Sequence, residues 1–202
     1  MSSIDLTEEP GGGEGWDEFF GRAAEESFDR FLRGGKVRVR YKNWRITLDT
    51  VAIAAGEACV TVTRMKAPYI NLDGFRFRAH SKDFLSALWK FCGARSVEVG
   101  RPALDRAFVF HSEDERKVRE LFSGPEVERL MLAQPAVNLE VRDDEGVLGV
   151  EFPEGVDELC FREAGFINDP ERLKLLFQLF AAVLDRLRRM GSACEGAPGL
   201  SL

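Results

Sequence analysis

Apolar residues recur at three- and four-residue spacing near the end of the chain. Leu173, Leu176, Phe177, Phe180, Leu184 and Leu187 share one helical face, which Leu175, Leu179 and Val183 widen. The spacing predicts a long amphipathic helix from Pro170 to Met190. Asn168 or Asp169 is placed to cap its first turn, Pro170 suits its first position, and Gly191 suits the left-handed residue after its last turn. A second stripe of Trp16, Phe19, Phe20, Ala23, Ala24, Phe28 and Phe31 predicts a helix that Gly34 and Gly35 end. A third helix is expected from Ser81 to about Cys92, with Phe84, Leu85, Leu88, Trp89 and Phe91 on its apolar side.

Between these helices the period changes to two. Lys36, Arg38, Arg40 and Lys42 alternate with Val37, Val39 and Tyr41, the pattern of a strand with one face buried and one in water. Further strands are expected over Trp44 to Val51, Cys59 to Met65 and Phe75 to His80, the last with Phe75 and Phe77 inward and Arg76, Arg78 and His80 outward. The segment Asn71 to Gly74 reads as a turn. The second half runs similarly. A short strand covers Phe108 to Phe110, and Ser112 is expected to cap a helix with Glu115 completing a capping box. Gly124 and Pro125 then precede a short helix to Leu132, Val137 to Val141 and Val147 to Phe152 flank a hairpin turn at Asp143 to Gly146, and Glu158 to Arg162 gives a last strand.

The fold class predicted is α+β: mainly antiparallel strands in two groups, each followed by a helix, with the long C-terminal amphipathic helix packed on an apolar sheet face. The domain reading has three parts. Residues 1–15 read as a disordered, acidic, Gly-rich tail, residues 16–190 as a single two-lobed domain with lobes of about 16–100 and 101–190, and residues 191–202 as a second disordered tail. No run of about 18 apolar residues occurs, and the first residues are acidic rather than basic and then apolar. A cytoplasmic protein is the expectation.

Charge is distributed unevenly. Residues 1–32 carry two basic and nine acidic side chains, a net of −7. Residues 33–106 carry fifteen basic and six acidic, a net of +9, and residues 107–202 return to −8. The strand-rich middle of a mildly acidic chain is therefore basic. Cys59, Cys92, Cys160 and Cys194 are far apart, with only His80 and His111 as imidazoles, so no zinc site is expected. Cys59, Cys92 and Cys160 read as buried thiols and Cys194 as a tail thiol.

The stretch from Gly93 to Phe110, with Val97-Glu98-Val99-Gly100 before Leu104-Asp105-Arg106-Ala107-Phe108, is followed by helical runs at Glu113 to Phe122 and Glu126 to Leu132. Over about residues 81–189 this layout resembles a group of uncharacterised bacterial proteins that are often attached to membranes. Leu104 stands where their pattern has Phe, and this chain shows no span. The resemblance implies no activity and no catalytic residue.

No phosphate-binding Gly-rich loop, nucleophile elbow or zinc-protease motif is present, and no cofactor is called for. The acid and base candidates are Asp143 and Asp144 beside Glu145, and His111 beside Glu113 and Asp114. The first cluster has the composition of a hairpin turn, and the second that of a strand end. Two functions follow. The first is a non-catalytic binding or scaffold module whose outer sheet face, bearing Lys36, Arg38, Arg40, Lys42, Arg76 and Arg78, meets an acidic protein or polyanion, with nucleic acid or an anionic membrane surface as further candidates. The second is an enzyme with a pocket between the two lobes.

Overall fold

A computed structural model describes residues 3–6, 31, 34–55, 58–82, 96–143 and 152–194. The helices expected over residues 16–33 and 81–92, the second strand of the hairpin at 147–152, and Cys92 lie almost wholly outside these residues. The fold is α+β. Its strands are β1 (Ser3–Leu6), β2 (Lys36–Tyr41), β3 (Trp44–Ala55), β4 (Ala58–Asn71), β5 (Arg78–Ser81), β6 (Ser96–Val97), β7 (Phe108–His111), β8 (Asn138–Arg142), β9 (Val156–Ala164) and β10 (Ala193–Cys194). Its described helices are α1 (Pro102–Ala107), α2 (Glu115–Phe122), α3 (Pro125–Leu132) and α4 (Pro170–Arg189).

The strands form one sheet in the order β1-β2-β3-β4-β9-β8-β5-β7-β6, with β10 beside the end of β4. The two groups of strands read from the sequence are joined where β4 pairs with β9, from Thr63 opposite Glu163 to Ile70 opposite Val156. Every named pair is antiparallel except β1 with β2. β1 and β10 lie inside the segments expected to be tails. Four residues of the first segment and two of the last find sheet edges to pair with.

Alternation along the strands sorts the sheet into two faces. One face carries Val37, Val39, Ile46, Leu48, Met65, Ala67, Leu139 and Phe161, which share a single core with Leu173, Leu176, Phe177, Phe180, Leu184 and Leu187 of α4. The helix is fixed at both ends. Asp169 accepts the Glu171 and Arg172 amides at 3.0 and 3.4 Å. At the other end Gly191 has φ of 77°, its amide donates to the Arg188 carbonyl, and the Ser192 amide donates to Leu187. That pair of bonds closes the last turn and satisfies carbonyls that would otherwise be orphaned.

Two local boundaries differ from the sequence reading. β5 begins at Arg78, although Phe75 and Phe77 before it are buried as expected. The cap of α2 is Asp114, whose carboxylate accepts the Lys117 amide at 2.9 Å. Ser112 instead accepts the Asp114 amide and donates to the Arg76 carbonyl. A carboxylate at a helix start outcompetes a hydroxyl because it adds charge to the hydrogen bond and meets the positive end of the helix dipole.

Candidate binding face on the polar side of the sheet

Residues paired across neighbouring strands share a face, so the register defines rows. One row runs Arg38, Thr47, Lys66, Cys160, Glu140, Arg78 and His111 across β2, β3, β4, β9, β8, β5 and β7. Parallel to it, Asp49 is opposite Arg64, and Arg40 is opposite Arg45. The face away from the core is thus a lattice of charge rather than the scatter of a solvated surface.

The two ends of this lattice differ. On β9, β8 and β5 the cations meet carboxylates on adjacent strands. Arg78 donates to Glu140 at 2.8 Å, Arg162 donates to the same carboxylate, and Arg142 donates to Glu158 at 3.0 Å. Arg76, just before β5, clasps Asp157 with two bonds at 2.9 and 3.1 Å and reaches Asp143 at 2.7 Å. Glu158 is fully enclosed and Glu140 almost so. Burial pushes the Glu158 carboxyl above its ordinary range, against the downward pull of Lys66 and Arg142. Cys160, fully buried in the same row, has its thiol pushed up to about 12 by desolvation, which leaves it without thiolate reactivity.

On β2, β3 and β4 the balance is reversed. Lys36, Arg38, Arg40, Arg45, Arg64 and Lys66 are six cations on this face, and among the described residues of these three strands Asp49 is its one carboxylate. Arg64 holds Asp49 in a two-pronged bond, both distances 2.9 Å, and Lys36 lies 3.9 Å from the same carboxylate. The Lys36 ammonium is lowered from its ordinary value by burial, and Lys66, Arg38 and Arg64 act in the same direction against Asp49. Beyond Asp49 the same face turns apolar. Val51 is opposite Val62 and Ile53 opposite Val60, and Ile53 and Val60 are 45% and 38% exposed.

The six residues proposed from sequence are therefore divided three ways. Lys36, Arg38 and Arg40 come together as expected. Arg76 and Arg78 share their face but sit five strand spacings away, about 24 Å, among carboxylates. Lys42 is on the opposite side, because it occupies the two-residue turn between β2 and β3 with φ of 53°. There its ammonium donates to Asp185 of α4 at 2.5 Å, and the Tyr41 hydroxyl donates to the same carboxylate at 2.9 Å. Arg45, Arg64 and Lys66 were not singled out from sequence. Their signal was present as cations of one parity on the two following strands, and only the register shows that they join β2.

A cleft of about 980 Å³ opens at the other end, lined by Arg76, Arg78, His80, His111, Ser112 and Lys117 among others. His80 and His111 stack with centroids 5.4 Å apart and planes 15° apart. The His80 imidazole is held below its ordinary value by burial first, then by His111 and Arg78. A face-to-face stack does not pass a proton edge to edge. Asp114 is committed to the α2 cap, and Ser112 to the Arg76 carbonyl. Among the described residues no group of three potential metal ligands forms. Cys59 and Cys194 are exposed free thiols, against the expectation of a buried Cys59 and a thiol in an unstructured tail, because both lie at strand positions turned to solvent. No described helix is long and apolar enough to cross a membrane.

Comparison with protein-family models, with curated proteins and with solved structures returns no match. The likeness of residues 81–189 to uncharacterised bacterial proteins is accordingly not carried further.

Proposed function

We propose that the protein is a binding module and that the β2–β4 end of its polar sheet face receives an acidic polypeptide. What supports this reading is that β2, β3 and β4 bring six cations and one carboxylate to this face, with Arg64 and Lys36 at Asp49, the buried Lys66 reaching Glu158 of β9 at 4.0 Å, and the exposed Arg40 and Arg45 opposite each other at its outer end. Like charges held a few ångströms apart raise the local potential and favour an anionic partner at modest ionic strength. The exposed Ile53 and Val60 next to the cations favour a polypeptide over a nucleic acid, since a phosphate backbone would leave the aliphatic strip uncovered. Function through the histidine cleft is the weaker reading. Its cations are engaged by carboxylates, and its hydroxyl and acid candidates hold the backbone.

Binding of labelled polyglutamate to the full chain tests the proposal. Affinity should fall steeply with added salt, and Arg38→Glu with Arg40→Glu should weaken it about tenfold or more. Both side chains lie on the face away from the core, and the unfolding midpoint of the doubly substituted chain, measured alongside, separates lost binding from lost stability. Equal affinity of the two chains would refute the assignment to this face.

A further inference from the structure

Arg45, Thr47, Asp49, Val51 and Ile53 alternate along β3 and so share the polar face, with Lys66, Arg64, Val62 and Val60 of β4 opposite the last four. The order along this hairpin runs from charged to apolar. At one end the exposed Arg45 stands opposite Arg40 of β2. In the middle Thr47, Asp49 and Lys66 are buried, and Arg64 is held by Asp49. At the other end, past Leu48 where the pairing with β2 stops, Ile53 and Val60 stand opposite each other and are exposed. Of the five large apolar side chains exposed among the described residues, these are the two that meet across a strand pair. Arg45 and Ile53 are eight residues apart on one strand, about 27 Å.

We infer that the partner is an acidic polypeptide segment that ends in aliphatic residues, lying along β3 with its acids toward Arg45 and its aliphatic end on Ile53 and Val60. The inference rests on the reading of β2 to β4 as a face for acidic polypeptides and adds the partner's composition and direction. A single apolar residue on a surface is ordinary, but two directly opposite across a strand pair lie about 5 Å apart and present one continuous patch. Charge complementarity brings the segment to the face and is weakened by salt. The aliphatic contact is not screened, and it fixes the direction. A segment lying the other way would set its acids on Ile53 and Val60, where a carboxylate loses water and gains no partner, and its aliphatic end on Arg45.

The experiment compares two fluorescent peptides on the full chain, one of eight glutamates and one of eight glutamates followed by two leucines, a length that covers the distance from Arg45 to Ile53 when extended. The leucines should tighten binding to wild type about tenfold. Ile53→Thr with Val60→Thr should remove that gain and leave the affinity for the all-glutamate peptide unchanged, since threonine keeps the branched shape that strands favour. Val60→Ala alone, a smaller change, should remove part of the gain, and the unfolding midpoints of all variants are measured alongside. Arg45→Glu should weaken both peptides by the same factor, and eight lysines followed by two leucines should not bind. No gain from the leucines on wild type, an equal gain on wild type and on both apolar variants, or equal binding of the lysine peptide would overturn the inference, while binding of the all-glutamate peptide would still support the basic face. If the all-glutamate peptide fails to bind wild type, the functional reading itself is refuted.

Discussion

Glu158 is the residue at which the sheet's polar face is most vulnerable. It is fully enclosed, with Arg142 at 3.0 Å and Lys66 at 4.0 Å, so removing its carboxylate leaves two cations facing a site that water does not reach. Breaking a buried pair from one side costs about 3–5 kcal/mol, and Glu158→Ala should show a loss of that order in urea unfolding. A loss under about 1 kcal/mol would mean that the cations find water. His80 gives a second test, by pH. Its native imidazole lies below the ordinary 6.5, so the unfolded chain binds the proton more readily. The associated stability is complete above about pH 6.5 and is lost as pH falls from there toward the lower native value. Wild type should therefore lose more stability than His80→Gln on going from about pH 7.5 to about pH 5.5, and an identical loss would contradict this source of pH dependence. Parity along β2 makes Lys36, Arg38 and Arg40 legible in the sequence. It also assigns Glu140, Glu158 and His80 to the outer face, but period two says only which way a side chain points. How much water reaches it depends on the arginines of neighbouring strands, which are distant in the chain. Lys42 is misplaced by the same rule because one residue with positive φ ends the alternation.

Among the elements, α4 is where local sequence and packing agree most fully. Phe180 is fully buried in the main core, and Phe180→Ala should cost about 3–5 kcal/mol by chemical denaturation. Gly191 has open space around its missing Cβ, so the cost of Gly191→Ala comes from its φ of 77° alone, about 1–2 kcal/mol. A neutral Gly191→Ala would show that the helix end relaxes without its capping bonds. The ends of α4 are readable because Asp169, Pro170 and Gly191 each satisfy a local requirement of a helix terminus. β1 and β10 are not readable in the same way. Strands of four and two residues carry no usable period, and their pairing is decided by edges that the rest of the chain leaves open. The extent of β3 and β4 is also longer than alternation suggests, since the hairpin continues past the end of β2 on mutual pairing alone.

For the whole molecule, a single sheet separates two kinds of chemistry: a core of aliphatic and aromatic side chains under α4, and an ordered array of charge on the other face. The uneven charge along the sequence becomes spatial in this arrangement. Basic residues 36–66 form one end of the array, and the carboxylates of β8 and β9 neutralise the other. Binding is proposed at the basic end, with no part in it for the histidine cleft. Amide hydrogen exchange of the full chain with and without saturating polyglutamate tests this most directly, because it reports every strand at once. Added protection is predicted in β2 and in residues 44–49 of β3, with β5, β7 and α4 unchanged. Protection centred on residues 76–82 and 109–115, or none on β2, would contradict it.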